Sequence, residues 1–320
     1  MTLRIAVIGV GHLGKHHARI LSAMPDVELV AVVDTNQPRA RDIAAASRTD
    51  AAFDYRDVLG RVDAVTIAVP TELHHTIAQP FLHAGTAVLV EKPMARSIAD
   101  ADDMIDAAAA SSAVLAVGHT ERFNPALAVA RPLLTDPRFI EVHRLGTFPE
   151  RSLDIDVVFD LMIHDLDVVL SLVSSDMESI DAVGVPVLTG KVDIANARLR
   201  FANGCIANLT ASRISRDRVR KIRFFQPEMY LSIDYAAQTV DAWRLVKGEG
   251  IAPSIDGGQL AVANEEPLKR ELADFVDAVV ARRAPRVTGE AGRRALAVAQ
   301  AITDKITTEM QPRRLEDTKE

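Results

Sequence analysis

Three polar side chains stand inside apolar stretches of this sequence, and their types suit the withdrawal of hydrogen from a carbon–oxygen centre. Lys92 belongs to Val90-Glu91-Lys92-Pro93, directly after the apolar run Ala87 to Val90. A lysine at the carboxyl end of a buried strand can reach a substrate oxygen and stabilise alkoxide character as a hydroxyl loses its proton. Asp160 and His164 lie four residues apart in Asp160-Leu161-Met162-Ile163-His164, a spacing that puts both on one face of a helix. A histidine accepts a proton near neutral pH, and a neighbouring carboxylate orients it and stabilises its cation. Each residue taken alone has a plainer reading: a solvated lysine, a satisfied core histidine, a helix cap.

A second constellation is a glycine loop, Gly9-Val10-Gly11-His12-Leu13-Gly14, set between a buried strand and a helix. Its first glycine permits the tight turn, its second admits a pyrophosphate close to the backbone, and its third allows the helix to pack on the strand. The helix start adds free N–H donors and a partial positive charge. Asp34, at the end of the next strand-like run, can accept hydrogen bonds from a ribose and repel a 2′-phosphate. NAD is therefore expected over NADP. No arginine follows Asp34 immediately, although Arg39 and Arg41 stand nearby.

The elements that must position these groups can be read from periodicity. Strand-like runs at Leu3 to Gly9, Glu28 to Val33, Ala64 to Val69, Ala87 to Val90 and Val114 to Gly118 alternate with helical segments near 38–46, 73–84 and 98–110. Ser97 and Asp100 suit a capping box at the last of these. Continuous apolar strands alternating with helices predict an α/β, Rossmann-type, doubly wound parallel sheet. Asn124-Pro125 reads as a helix start, and residues 155–173 as one long apolar helix. From Ser179 to Val246 consecutive strands are expected, with Met229, Leu231, Ile233 and Tyr235 on the dry face of one. Two amphipathic helices close the chain, one with the stripe Leu268, Leu272, Phe275, Val276 and Val279, the other over 290–306. The expected division is a Rossmann domain over 1–120 and, over 121–320, an α+β domain with a large, open-faced, mostly antiparallel sheet.

The 320 residues carry a formal net charge of −7, which argues against nucleic acid or an anionic membrane as a partner. No apolar run reaches the length of a membrane span, and the start of the chain lacks a cleavable-signal pattern. The single cysteine, Cys205, suits a reducing compartment, so a cytoplasmic location is expected. His12, His16, His17, His74 and His75 lack accompanying ligands at metal-binding spacing, so no metal is expected. The polar tail Gln311 to Glu320 is the one stretch of disordered character.

Together these pieces resemble the glucose–fructose oxidoreductase, inositol dehydrogenase and rhizopine-catabolism (Gfo/Idh/MocA) family over nearly the whole chain. Gly9, Gly11, Gly14 and His17 match its glycine loop and following histidine. Pro70, Thr71 and His74, in AVPTELHHTIAQPFLHAG, match a segment lining the cofactor. VEKP places Lys92, next to Glu91, on the family's catalytic lysine, and DLMIH places Asp160 and His164 on its aspartate–histidine pair. The resemblance implies hydride transfer to a nicotinamide, with His164 as proton acceptor, Lys92 stabilising the oxyanion and Asp160 orienting and relaying. It also implies a homodimer or homotetramer associating through the second sheet.

Within the family, GHTERFNPAL (118–127), DLMIHDLDVVL and NLTASRISRDRVRKIRFF (208–225) resemble a branch that oxidises carbon 3 of UDP-N-acetylglucosamine. The expected substrate is thus a sugar or nucleotide sugar, touched by Lys92, Arg122, Asn124, His164, Arg213 and Arg216. Arginines at 122, 213, 216 and 218 suit a diphosphate through forked, charge-assisted bonds, although surface ion pairing explains such runs equally well. The competing readings are a dehydrogenase of a free sugar or inositol, a dinucleotide-sensing regulator without turnover and, more weakly, a reductase of a linear tetrapyrrole.

Overall fold

A computed structural model of the protein describes residues 2–148, 155–248 and 251–310. The chain divides into two compact units. The first is Met1–Pro125 with Asn264–Leu296, and the second is Ala126–Ala263 with Ala297–Glu320.

In the first unit, β1 (Leu3–Ile8), α1 (Gly14–Leu21), β2 (Val27–Val33), α2 (Gln37–Ser47), β3 (Asp50–Ala52) and β4 (Ala64–Ile67) are followed by α3 (His74–His83), β5 (Ala87–Glu91), α4 (Ile98–Ser111) and β6 (Leu115–Gly118). The sheet runs β3-β2-β1-β4-β5-β6 with every pairing parallel. Strands β4, β5 and β6 are buried at every position, as unbroken apolar runs require when both faces are covered. The expected strands and helices agree with these elements to within two residues at their ends. Strand β3 is the exception: Asp50-Ala51-Ala52 is short and lacks β-branched or aromatic residues, so periodicity does not announce it. Ser97 caps α4 by accepting the Asp100 N–H at 3.1 Å.

The expected boundary at residue 120 needs a correction, because the chain returns to the first unit over Asn264–Leu296. The cause is the apolar stripe of α7 (Pro267–Ala281). Its Leu272, Phe275 and Val276 are buried in the same core as Ile5, Val7, Val32 and Leu89, so the stripe finds its apolar partners there.

The second unit is built on an eight-stranded sheet in the order β14-β13-β12-β11-β7-β10-β9-β8. Its strands are β7 (Phe139–Leu145), β8 (Met177–Val185), β9 (Ile194–Phe201), β10 (Ile206–Ser212), β11 (Val219–Gln226), β12 (Met229–Asp234), β13 (Thr239–Gly248) and β14 (Ile251–Leu260). Only β7 and β10 pair in parallel; the rest are antiparallel. Burial alternates strictly along β9, one face dry and one open. Pro253, Gly257 and Gly258 obscure β14 in the sequence, and it lies at the sheet edge where such residues are tolerated.

The single long helix expected over 155–173 is instead a π-helical turn, Val158–Met162, running into α6 (Ile163–Leu172). α5 (Pro125–Ala130) starts at the Asn124-Pro125 signal, and α8 (Gly289–Met310) covers the last amphipathic stretch. The tail from Gln311 lies outside the described residues.

Candidate active site

The glycine loop is shaped by contacts that exclude a side chain. Gly9 has φ +83°, and a Cβ there would stand 2.7 Å from the Ala68 carbonyl oxygen; one on Gly14 would stand 1.7 Å from that of Gly9. Gly11 differs. A Cβ on it would meet nothing within 4 Å, so the backbone there faces open space, as a helix start that receives a phosphate requires. The first turn of α1 carries no acidic residue to compete for that place. His12 and Leu13 are exposed on the same loop.

Asp34 is tied into this loop. Its carboxylate accepts the Val10 N–H at 3.0 Å and the Asn36 N–H at 2.8 Å, and Arg39 grips both oxygens, through Nε at 3.0 Å and a terminal nitrogen at 2.7 Å. Burial pushes its pKa up, but the Arg39 bond and the two backbone N–H groups outweigh it and leave the carboxyl below the usual range. Asp34 is thus an anion in place before any ligand arrives.

Lys92 follows β5 and is half-buried. The groups around its backbone explain how it is held. Glu91 is buried, its Oε1 3.1 Å from His17 Nε2 and its Oε2 accepting the Lys92 N–H at 3.3 Å. Gly118 leaves room for that carboxylate, since a Cβ there would come within 2.9 Å of it. Burial opposes ionisation of Glu91, yet His17 holds its pKa below the ordinary value. Nothing local in the sequence announces this pairing, although His17 stands as a polar residue in the inward stripe Gly14, His17, Ala18, Leu21 of α1.

His74 was expected to line the cofactor, but it is 1% exposed and works on the backbone. Its Nδ1 lies 3.0 Å from the Pro93 carbonyl oxygen and its Nε2 2.9 Å from that of Val69. It therefore ties the segment after β4 to the turn that carries Lys92. Burial lowers its pKa against the pull of those carbonyls. Pro70 is exposed and Thr71 half-buried, at the start of the turn leading into α3.

In the second unit Asp160 lies in the π turn and His164 in the first turn of α6, both half-buried. Inserted turns of this type recur at functional positions. α6 is fixed on the sheet by Asp165, buried beside His164, whose oxygens receive Arg144 Nε at 2.6 Å and a terminal nitrogen at 2.9 Å.

Arg213 requires the main correction among the site residues. It is 2% exposed, and its guanidinium is committed to Asp193 at 2.8 Å, the Ile155 carbonyl at 2.7 Å, and Thr189 and the Val192 carbonyl at 3.3 Å. It braces the entry to the π turn and is not presented to a diphosphate. Arg216 is exposed on the connection after β10, and Arg218 donates to Thr147. In the first unit Arg122 donates to the Arg286 carbonyl at 3.2 Å, and buried Asn124 donates to Glu121 at 3.3 Å. No group of three or more His, Cys, Asp or Glu residues suited to a metal occurs among the described residues.

Two family models match the chain. An oxidoreductase family, NAD-binding Rossmann fold model covers residues 3–119, and a GFO/IDH/MocA C-terminal domain model covers 134–228. A UDP-N-acetylglucosamine 3-dehydrogenase from Acidithiobacillus ferrooxidans is 40% identical over 304 residues, 94% of this chain and 96% of that protein. The chain belongs to the Gfo/Idh/MocA family.

An inositol 2-dehydrogenase from Rhizobium meliloti is 29% identical over 67% of this chain and 69% of its own length. A solved structure of the Acidithiobacillus ferrooxidans dehydrogenase superposes with a TM-score of 0.90 at 38% identity, covering 96% of this chain and 99% of that one. As a Gfo/Idh/MocA protein the chain is an NAD-dependent oxidoreductase acting on CH–OH groups, with a six-stranded Rossmann sheet and an eight-stranded second sheet. Its residues fit the dinucleotide: open space over Gly11 beside a helix start, and an ionised Asp34 for a ribose.

Proposed function

We propose that this enzyme oxidises the carbon-3 hydroxyl of UDP-N-acetylglucosamine to the ketone. The observation that carries the reading is the 40% identity to a dehydrogenase of that name over 94% of the chain, in a chain that carries the three side-chain types the reaction needs at Lys92, Asp160 and His164. Lys92 stabilises negative charge on the substrate oxygen as its proton leaves. His164 takes that proton, and Asp160 orients the imidazole and stabilises its cation. The glycine loop and Asp34 would hold NAD, which would supply the acceptor for the hydride leaving the same carbon. The balance is one alcohol to one ketone, with a proton to the histidine and a hydride to the nicotinamide. Arg122 and the exposed Arg216 are assigned to the diphosphate, and Arg213 is withdrawn from that set.

The chain also carries a surface suited to self-association. Phe139, Phe225 and Tyr230 sit side by side across three strands, with ring centroids 5.6 and 5.2 Å apart, and Trp243, 44% exposed, stands opposite Tyr230 on the next strand. An apolar row of this kind supports a homo-oligomer formed through the second sheet. No helix among the described residues is long and apolar enough to cross a membrane. The buried Cys205 thiol, its pKa pushed up to about 11 by burial, suits a role in packing. We place its site of action in the cytoplasm, a reading supported by the single, buried Cys205.

The experiment is turnover of UDP-N-acetylglucosamine with NAD, followed by absorbance of the reduced cofactor, beside free glucose and inositol. Turnover of the nucleotide sugar that falls about a hundred- to ten-thousand-fold in Lys92→Ala and His164→Ala supports the reading. Turnover of a free polyol alone overturns the substrate. Dinucleotide binding without turnover of any of them would favour a sensor.

A further inference from the structure

In this protein the anion that selects NAD is covered by a cation, and that alters what it can select. An isolated Asp34 would repel a 2′-phosphate and so exclude NADP. Here both carboxylate oxygens are gripped by Arg39 in a forked pair, at 3.0 and 2.7 Å, while Val10 and Asn36 donate to the same two oxygens. These four donors fill the acceptor positions of the two oxygens, so a ribose diol must compete for the carboxylate with Arg39, the one donor borne on a flexible side chain. Asp34 cannot leave, being 7% exposed and held by two backbone N–H groups. Arg39 can: its side chain is 46% exposed and stands on the first turn of α2.

We propose that Arg39 is a specificity-determining residue which gives the ribose site two settings. For NAD, the ribose hydroxyls take over the oxygens that Arg39 releases. For NADP, the guanidinium stays near Asp34, neutralises its repulsion and turns its free N–H groups to the 2′-phosphate through forked bonds. NADP is then an accepted cofactor of this enzyme, held less well than NAD. The inference rests on the dinucleotide site described above and is independent of which sugar is oxidised.

The test is calorimetry on the wild-type protein with ADP-ribose and with its 2′-phosphorylated form, no sugar and no turnover being involved. The wild type is expected to bind both, with the phosphorylated ligand weaker by roughly ten- to a hundredfold. Arg39→Ala should move the two in opposite directions, tightening ADP-ribose by a few-fold and weakening the phosphorylated ligand by at least about tenfold. Arg39→Lys, which keeps the charge and loses the fork, should recover part of the loss.

Opposite shifts support the proposal, since a merely structural residue would move both affinities together. An equal change for the two ligands overturns it, as does a wild type that binds ADP-ribose and rejects the phosphorylated form by more than about a thousandfold. Failure of both ligands to bind overturns it together with the dinucleotide site itself. Failure of UDP-N-acetylglucosamine turnover leaves both affinities standing.

Discussion

Two aspartate–arginine pairs in this molecule have the same chemistry and opposite uses. In the second unit, Asp193 and Arg213 are 0% and 2% exposed, joined at 2.8 Å, and surrounded by further bonds to Val187, Leu188, Thr189 and Ile155. In the first, Asp34 is as well anchored, but its Arg39 is 46% exposed at its side chain. The difference is in the arginine's alternatives. A buried guanidinium has no water to go to, so the pair acts as a brace. A half-exposed one can trade its carboxylate for solvent or a ligand at little cost. Burial of the cation, more than the distance between charges, separates structure from recognition here.

Removing each arginine should therefore give the largest contrast. Arg213→Ala leaves a buried carboxylate without its counter-charge and is expected to cost about 3–5 kcal/mol of stability. Arg39→Ala should cost under about 1 kcal/mol. Urea unfolding midpoints of the two variants check this, and equal losses would break the comparison. His74 extends it inside the first unit, where a buried imidazole is packed between two backbone carbonyls and donates to one of them. His74→Ala should cost roughly 1–3 kcal/mol and lower kcat more than it raises KM, because the turn holding Lys92 loosens.

A smaller effect is expected from acid. Burial pushes the Asp193 pKa up, but the Leu188 and Thr189 N–H groups and Arg213 more than offset it, leaving the folded-state value well below the ordinary one. A carboxyl whose folded pKa is depressed contributes stability that is complete above its unfolded value of about 3.9 and is lost as pH falls through the folded value. The stability gap between wild type and Asp193→Asn should thus be widest near neutrality and shrink below about pH 4, as followed by unfolding midpoints at several pH values. A constant gap would mean that Asp193 acts by shape alone.

The smallest change in stability is expected at Gly11, where a Cβ finds open space in the free protein. Gly11→Ala should unfold like the wild type yet bind ADP-ribose at least about tenfold more weakly, since the added methyl occupies the path of the pyrophosphate. Calorimetry and thermal melting together separate the two quantities. Loss of stability at Gly11 would show that the loop is braced there as it is at Gly14.

What was legible in the sequence follows the same division. The glycine loop, Asp34, and the strands and helices of the Rossmann sheet apart from β3 rest on neighbours in the chain, so spacing and periodicity reveal them. The partnership of His17 with Glu91 joins residues 74 positions apart, and that of Arg213 with Asp193 depends on the register of β9 beside β10. Neither is written in local pattern. Arg213 read as a ligand contact because a basic run looks alike whether its members point to solvent or to the core. The π turn at Asp160 escaped for another reason. Its residues are as apolar as those of α6, and helical periodicity alone does not separate one turn from the other.

The most direct test of the chemistry is the fate of the hydrogen on carbon 3. Turnover of NAD with UDP-N-acetylglucosamine bearing deuterium at that carbon, followed by mass analysis of the reduced nicotinamide, reads it without inference. Transfer of the deuterium to the cofactor, lost in His164→Ala, is the expected result. Reduced cofactor carrying no deuterium would contradict oxidation at carbon 3.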